Sequence, residues 1–342
     1  MNSGEAYRKL FTAFKEGDDE DFMRVSREII KDEQSKYNNK LVDDLQKILD
    51  IDKSSPRKRS TKKDTIINNI PRDAEKGLPL LEIKRFKKDF SDIVIEKDKK
   101  KILGRIVLEN KKLEILSSHS LEPIKKVLFY GPPGCGKTLA AEILCSELSY
   151  PMAYIRFDGL VSSYLGATAA NLRKVFSFVE NGNWVVFFDE FDLIGAERDS
   201  SLDHGEIRRV VNSFLQMIDN FKGNSILIAA TNHQHLLDSA LWRRFDEVVY
   251  FDLPDKAARK SIFKKYLLSA RTRGINLDYF AEISEKMSPS DIEAICLRSI
   301  KEITLSSKKL ITPQILESST QEQLRKLNHK NGSIVRDNGD FT

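Results

Sequence analysis

The sequence is poor in cysteine, with only three, at positions 135, 145 and 296. They form no Cys-x-x-Cys pair, and no histidines stand at the spacing of a zinc site. These absences exclude a disulfide framework and a structural zinc site, and they favour a reducing compartment. A His-Glu-x-x-His motif is also missing, so any proteolysis connected with this chain must come from a separate protein.

Long apolar runs and an excess of one charge are absent as well. No uncharged apolar stretch approaches the roughly 20 residues that a membrane helix needs. The N-terminus is charged and lacks the apolar core of a signal peptide. The whole chain has 56 basic and 51 acidic residues, and their net charge of +5 gives no general argument for binding to nucleic acid. We therefore expect a cytoplasmic protein that does not bind a membrane.

A glycine-rich turn stands between a strand pattern and a helix pattern. The apolar run that ends at Tyr130 is rich in β-forming residues, and the turn from Gly131 leads into Lys137-Thr138 and a helical run. Glycines allow successive backbone N–H groups to point at phosphate oxygens, and the helix adds its positive end. The Lys137 ammonium can reach the β- and γ-phosphates, and the Thr138 hydroxyl can hold Mg²⁺. The residues that we expect to contact the nucleotide are Gly131, Pro132, Pro133, Gly134, Cys135, Gly136, Lys137, Thr138 and Leu139.

Two carboxylates follow a buried strand pattern that ends at Phe188. Core strands of a parallel sheet do not tolerate ionised side chains, so Asp189 and Glu190 must lie just beyond the carboxyl end, where ligands bind. We expect Asp189 to hold Mg²⁺, directly or through water, and Glu190 to polarise the attacking water. The alternative for an acidic pair on its own is a helix cap.

Polar residues stand at two further strand boundaries. Asn232 ends a third strand pattern, and its amide can orient water without adding charge. Arg243 and Arg244 precede the next strand, and an arginine can neutralise charge on a transferring phosphoryl group. Each signal is weak alone, because strand ends often carry Asn in turns and surface arginines often pair with carboxylates such as Asp238 or Asp246.

These motifs, in this order and spacing, resemble those of the AAA ATPases over about residues 88–305. The likeness is greatest to bacterial AAA ATPases with a single ATPase module, and it implies a homo-oligomeric ring, usually a hexamer, with ATP and Mg²⁺ bound between subunits. The segments that carry the resemblance are Gly131–Thr138, Phe188-Asp189-Glu190, Ala230-Thr231-Asn232 and Leu237–Asp246.

The resemblance also implies roles for single residues. Asn232 looks like the first sensor of the family, and Arg243 and Arg244 look like arginine fingers that serve the neighbouring subunit. Asp92 and Ile93 resemble the segment whose backbone reads adenine.

A substrate-gripping loop is implied after the second strand of the family core. Tyr164, Leu165 and Gly166 match its aromatic-hydrophobic-glycine triplet, which makes Tyr164 the candidate for a side chain that grips substrate in a central pore. The alternative is that Tyr164 packs beneath a helix cap. Two departures are visible: residues 167–170 replace the acidic residues that usually follow the glycine, and Pro289 stands where the lid of the family has glycine. No second sensor is assigned.

Apolar periodicity predicts the fold class and the domain organisation. Strand patterns alternate with helical ones, which predicts a P-loop NTPase parallel sheet flanked by helices, with a C-terminal helical lid and a small N-terminal helical domain. The predicted parts are an N-terminal helical recruitment module at 1–51, a basic flexible linker at 52–64, the large ATPase subdomain at 65–254, the lid at 255–326 and a polar tail at 327–342. The alternative for the N-terminal helices is an appendage that only packs.

The function favoured by these features is ATP hydrolysis coupled to the remodelling or unfolding of proteins threaded through the pore of a ring. One alternative is a nucleic-acid motor or loader that uses the basic run at 53–63. Another is a regulatory ATPase that switches a partner such as a protease. The nearly neutral charge and the Tyr164 triplet favour protein over nucleic acid. The expected partners are a protein substrate or adaptor on the N-terminal module and a separate protease.

Overall fold

The computed structural model divides the chain into two compact units, residues 1–69 and 70–342. In the first unit the described residues are helical, and Val25 and Ile30 are buried. The predicted linker, 52–64, lies outside the described residues, so it stays a prediction, as do the domain bounds. The structure describes residues 8–9, 11–12, 24–26, 28–30, 70–73, 77–155, 165–191, 204–233, 242–306 and 309–336.

The second unit contains a six-stranded sheet and the helices around it. Its strands are β1 (Leu81–Lys84), β2 (Lys126–Tyr130), β3 (Met152–Ile155), β4 (Val185–Phe188), β5 (Ile226–Thr231) and β6 (Glu247–Tyr250). Its helices are α1 (Lys97–Lys111), α2 (Leu113–Ser118), α3 (Lys137–Leu148), α4 (Leu165–Glu180), α5 (His204–Asp219), α6 (Lys256–Leu267), α7 (Leu277–Ile283), α8 (Pro289–Leu305) and α9 (Pro313–Arg336).

The strand order of the sheet is β1-β3-β4-β5-β2-β6. Strands β2 to β6 are parallel, and every residue of β4 and β5 is buried. Continuous apolar runs suit these strands because helices cover both faces of a parallel sheet. The predicted fold class is confirmed. The carboxyl ends of β2, β4 and β5 consequently lie at the same edge of the sheet, which brings together the three motifs that follow them.

Strand β1 is an addition that the sequence did not predict. It pairs antiparallel with β3 at the edge of the sheet, with Glu82 opposite Tyr154. Four residues are too few to show a clear alternating pattern, and an antiparallel edge strand on a parallel sheet has no sequence motif of its own.

The four C-terminal helices pack around a second apolar core, which includes Phe263, Phe280 and Ile292. Helix α8 begins with a capping box between Ser288 and Asp291, and Pro289 occupies its first turn. Proline is favourable there, because the first helical residues have no intrahelical partner for their N–H groups. This explains a proline where the resemblance leads one to expect glycine.

Helix α9 continues through residues 327–336, where the sequence predicted a polar tail. Leu327 packs against the lid core together with Leu324, so the apolar stripe of the helix extends past the predicted end of the lid. In the part of the chain that the structure describes, no helix combines the length and the apolar character needed to cross a bilayer.

Candidate functional site

The glycine-rich turn joins β2 to α3 at the carboxyl edge of the sheet. Gly131 has φ +135°, and a Cβ there would stand 2.1 Å from the carbonyl oxygen of Phe251. Only glycine therefore allows the turn to leave β2 so close to the backbone that follows β6. Gly136 caps the start of α3, which Lys137 begins. The backbone thus brings a helix N-terminus and a lysine to one place, as phosphate binding requires.

Lys137 is buried, with only 7% of its surface exposed. Its Nζ donates to the carbonyl oxygens of Gly131 and Pro132, at 2.7 and 2.9 Å, and to Oδ1 of Asn232 at 2.7 Å. A buried ammonium needs such oxygen partners. The contact with Asn232 joins the phosphate loop to the end of β5, so the structure brings together two residues that the sequence predicted from separate motifs.

The other predicted nucleotide contacts surround Lys137. Pro132 and Leu139 are half-buried, and Pro133, Gly134 and Thr138 are exposed. Cys135 is buried, and this burial raises the pKa of its thiol to about 11, so the thiol stays protonated at neutral pH. It therefore packs in the loop as a small apolar side chain rather than as a reactive thiolate.

Asp189 and Glu190 follow β4 directly, as predicted. The Glu190 N–H donates to Oδ1 of Asp189 at 3.0 Å, and the Tyr154 hydroxyl lies 3.4 Å from Oδ2. Glu190 is exposed and has φ +49°, the left-handed conformation that favours glycine. The backbone turn at Glu190 presents its carboxylate to solvent at the edge where the phosphate loop lies.

Tyr154 is a site residue that sequence reasoning missed. Burial and then the neighbouring Asp189 carboxylate raise the pKa of its hydroxyl, so it remains a neutral donor at physiological pH. A tyrosine in an apolar strand pattern is usually a core residue. Its nearness to Asp189 arises from the pairing of β3 with β4, which no motif records.

The two predicted arginine fingers differ in their contacts. Arg244 Nε donates to both carboxylate oxygens of Asp219, at 3.0 and 2.8 Å. Arg243 is exposed, and no hydrogen bond or ion pair joins it to another described residue. Asp219 is the last residue of α5. A contact between residues so far apart in the chain could not have been read from the sequence.

The predicted adenine segment lies between the phosphate loop and the lid. Ile93 is buried in the core of the sheet, and its side chain would be 3.3 Å from a Cβ at Gly136. Lys265 of α6 donates to the carbonyl oxygen of Ser91 at 2.9 Å and lies 3.6 Å from Asp92. Ile93 thus lies beside the glycine-rich loop, whereas Asp92 lies beside the lid, and their role in reading adenine stays a prediction.

The lid also touches the phosphate loop directly. The backbone N–H of Ser290 donates to the carbonyl oxygen of Gly134 at 3.2 Å, and Ser288 Oγ is 3.0 Å from Ser290 Oγ. Asp291 bonds Ser288 through its Oδ2, and its Oδ1 accepts from Nε2 of Gln323 at 2.7 Å. A chain of hydrogen bonds therefore runs from α9 through the start of α8 to the loop.

The predicted pore loop is only partly described. Leu165 and Gly166 begin α4, and Tyr164 lies outside the described residues. The role of this triplet therefore stays a prediction.

Known proteins are similar in sequence to this chain across the segment that contains this site. The family described as "ATPase family associated with various cellular activities (AAA)" matches residues 127–253. An uncharacterized AAA family ATPase, y4kL, of Sinorhizobium fredii is 37% identical over 326 residues, which are 95% of this chain and 97% of that protein.

Two proteasome-activating nucleotidases are also similar. That of Thermococcus kodakarensis is 34% identical over 239 residues, 67% of this chain and 60% of its own length. That of Pyrococcus furiosus is 35% identical over 208 residues, 59% of this chain and 52% of its own. The match thus spans only part of these nucleotidases, whereas the Sinorhizobium protein matches almost from end to end. Together with the family match across the phosphate loop and the strand ends, this similarity shows that the chain belongs to the AAA family and is an ATPase.

Proposed function

We propose that this ATPase remodels or unfolds other proteins in the cytoplasm, as a subunit of a homo-oligomeric ring that is most simply a hexamer. The observation that supports a protein substrate is the similarity to nucleotidases named as activators of the proteasome. The same similarity supports a separate protease as a partner. The predicted recruitment module at residues 1–51 would bring the protein substrate or an adaptor.

The contacts at the carboxyl edge of the sheet support the roles that we propose for single residues in hydrolysis. Lys137 and the N–H groups at the start of α3 would bind the phosphates, and Asp92 and Ile93 would face the adenine. Glu190 would accept a proton from the attacking water, and Asn232, which already bonds Lys137, would orient that water. Arg243 would act on the ATP of the neighbouring subunit.

The donor set at this edge fits magnesium. The Thr138 hydroxyl and the Asp189 carboxylate are hard oxygen ligands, and Mg²⁺ commonly uses one or two such protein ligands together with substrate phosphates. When bound, the ion would offset negative charge on the phosphate oxygens.

The test of the remodelling function is the variant Tyr164→Ala. An aromatic side chain can grip an extended polypeptide by contact area alone. We therefore expect Tyr164→Ala to retain basal ATPase activity but to lose the stimulation of that activity by an unfolded protein. Three measurements test this role of Tyr164: the melting temperature, basal phosphate release, and phosphate release in the presence of a substrate protein. The substrate protein is one that the Glu190→Gln variant captures in the presence of ATP.

Tyr279→Ala is a matched control, because Tyr279 is an exposed tyrosine of the lid and should leave stimulation intact. Normal stimulation of Tyr164→Ala would show that Tyr164 does not grip substrate. A lower melting temperature, with a loss of about 3–5 kcal/mol in the free energy of unfolding as for a buried aromatic residue, would show that it packs in the core instead.

A further inference from the structure

Both oxygens of the Asp189 carboxylate have a hydrogen-bond donor. Oδ1 accepts from the backbone of Glu190 at 3.0 Å, and Oδ2 lies 3.4 Å from the hydroxyl of Tyr154. An ionised carboxylate has about four acceptor positions, so both oxygens keep the capacity to bind a cation. Two donors on opposite oxygens restrict the rotation of the carboxylate, which would otherwise be broad about its terminal torsion.

The ring of Tyr154 is held in place by neighbours from two strands. Tyr154 is paired with Phe187 of β4 and Glu82 of β1. The Lys84 ammonium stands 4.0 Å from the centroid of the ring, and the Phe187 ring is 5.9 Å away. Contacts of this kind stabilise one orientation of an aromatic ring. The unpredicted edge strand β1 thus supports a hydroxyl that faces a carboxylate of the site.

We infer that Tyr154 is a positioning residue for Asp189. Its hydroxyl fixes the orientation in which Asp189 meets Mg²⁺, as hydrogen bonds to metal ligands do in other sites. The inference rests on the proposed role of Asp189 as a magnesium ligand. It assigns to β1 and β3 a part in metal binding that the phosphate loop and the carboxylate motif do not reveal.

The test compares the full-length chain with Tyr154→Phe, which keeps the ring and removes only the hydroxyl. The probe is fluorescent N-methylanthraniloyl-ADP, and its affinity is measured over a titration of MgCl₂ and again in EDTA. We expect the magnesium midpoint of Tyr154→Phe to rise by about tenfold. Affinity in EDTA and the melting temperature should match those of the original chain.

Tyr279→Phe is the matched control, because its hydroxyl also bonds a carboxylate, that of Glu317 at 3.0 Å, but in the lid. It should leave the magnesium midpoint unchanged. Tyr154→Phe should also have no further effect in an Asp189→Asn background, since both changes act through the same carboxylate.

The positioning role of Tyr154 and the role of Asp189 as a magnesium ligand can be tested separately. A midpoint for Tyr154→Phe equal to that of the original chain would overturn the positioning role while leaving Asp189 as a ligand. A midpoint for Asp189→Asn equal to that of the original chain would overturn the role of Asp189, and the role of Tyr154 with it. A tenfold rise in Tyr154→Phe that persists in the Asp189→Asn background would show that Tyr154 acts elsewhere.

Discussion

The Lys137 ammonium donates to oxygens from two different segments of the chain, the phosphate loop and the end of β5. The phosphate oxygens of ATP compete with these acceptors for the same three N–H groups. Because the loop and Asn232 already hold the ammonium in place, the side chain loses little conformational freedom when it binds phosphate. We therefore expect Lys137 to contribute to binding and the exposed Glu190 carboxylate to contribute to hydrolysis.

We expect Lys137→Ala and Glu190→Gln to fail in different ways. Lys137→Ala removes a charge-assisted bond to phosphate worth about 1.5–3 kcal/mol, so nucleotide affinity should fall by about 10- to 100-fold. Glu190→Gln keeps the shape of the side chain but not its basicity, so ATP should still bind while hydrolysis falls by about 10²- to 10⁴-fold. Nucleotide titration and phosphate release distinguish the two variants.

Lys137→Ala also leaves buried carbonyl oxygens without their donor, so its melting temperature has to be measured alongside its affinity. Glu190 is exposed, and Glu190→Gln should melt as the original chain does. If Glu190→Gln hydrolysed ATP at the original rate, Glu190 would have no role in the reaction.

The place of a site residue could be predicted from the sequence where that residue comes after a strand pattern. Lys137, Asp189 and Asn232 each follow an apolar run, and parallel pairing must bring the ends of such runs to one edge. Tyr154 and the Arg244–Asp219 pair could not be predicted, because both depend on which strand or helix lies beside which. The three cysteines could be predicted to be unpaired from their spacing, and all three are free and buried.

At the scale of elements, the start of α8 connects the phosphate loop with the last helix. Gln323 of α9 is almost buried, at 9% exposure. Its Nε2 donates to Asp291 at 2.7 Å, and its Oε1 accepts from Arg298 at 3.2 Å. Asp291 in turn caps α8 through Ser288. The orientation of α8 towards the loop thus depends on a residue of α9 that is remote from the nucleotide site.

We expect Gln323→Glu to weaken nucleotide binding and to lower stability at neutral pH. The new carboxylate can still accept from Arg298, but it would face the Asp291 carboxylate in place of a donor, and two close carboxylates raise the pKa of one of them. A carboxyl group whose pKa is raised by folding destabilises the protein above that pKa. The loss of melting temperature should therefore shrink as the pH falls and one group is protonated.

Gln321→Glu is the matched control, because Gln321 is an exposed glutamine in the same helix. The same change of charge there should leave the melting temperature and the nucleotide affinity almost unaffected. A loss in Gln323→Glu that does not diminish between pH 8 and pH 5 would contradict the carboxylate pair as its cause.

Most elements could be predicted from periodicity because they are long or continuously apolar. The wholly buried β4 and β5 and the helices of the lid are examples. Strand β1 and the final turns of α9 could not be predicted, since the first has only four residues. The final turns of α9 have mostly polar residues, and Leu327 contacts a core made by other helices.

In the whole molecule, the two arginines before β6 differ in their contacts with the described residues. Arg244 is held by Asp219 of its own chain, whereas Arg243 is exposed. An arginine that acts on the ATP of a neighbour must not be satisfied within its own subunit. We therefore expect Arg243 to be the dominant finger and Arg244 to hold the segment before β6 against α5.

We expect the specific ATPase activity to rise with protein concentration, because assembly would complete each site. Arg243→Ala should retain ATP binding but lose on the order of 10³-fold in turnover. Arg244→Ala should lose less turnover, and its exposed ion pair contributes only about 0–1 kcal/mol to stability. Phosphate release across a dilution series, with sedimentation of the same samples, measures both effects.

A mixture of Arg243→Ala and Lys137→Ala subunits provides the control for action between subunits. Some interfaces in the mixture would pair an intact arginine with an intact phosphate loop, so turnover should exceed that of either variant alone. A fully active monomer, or a mixture with no gain, would contradict completion of the site by a neighbour.

The left-handed backbone of Glu190 connects hydrolysis with the heat resistance of the whole chain. A non-glycine residue in this conformation costs on the order of 1–3 kcal/mol, and a globular protein has a total stability of only about 5–15 kcal/mol. Glycine at position 190 would relieve that cost and at the same time delete the carboxylate that we propose as the activator of water. A laboratory selection for thermal resistance alone would therefore favour the loss of hydrolysis, and it would retain the enzyme only if turnover were selected in parallel.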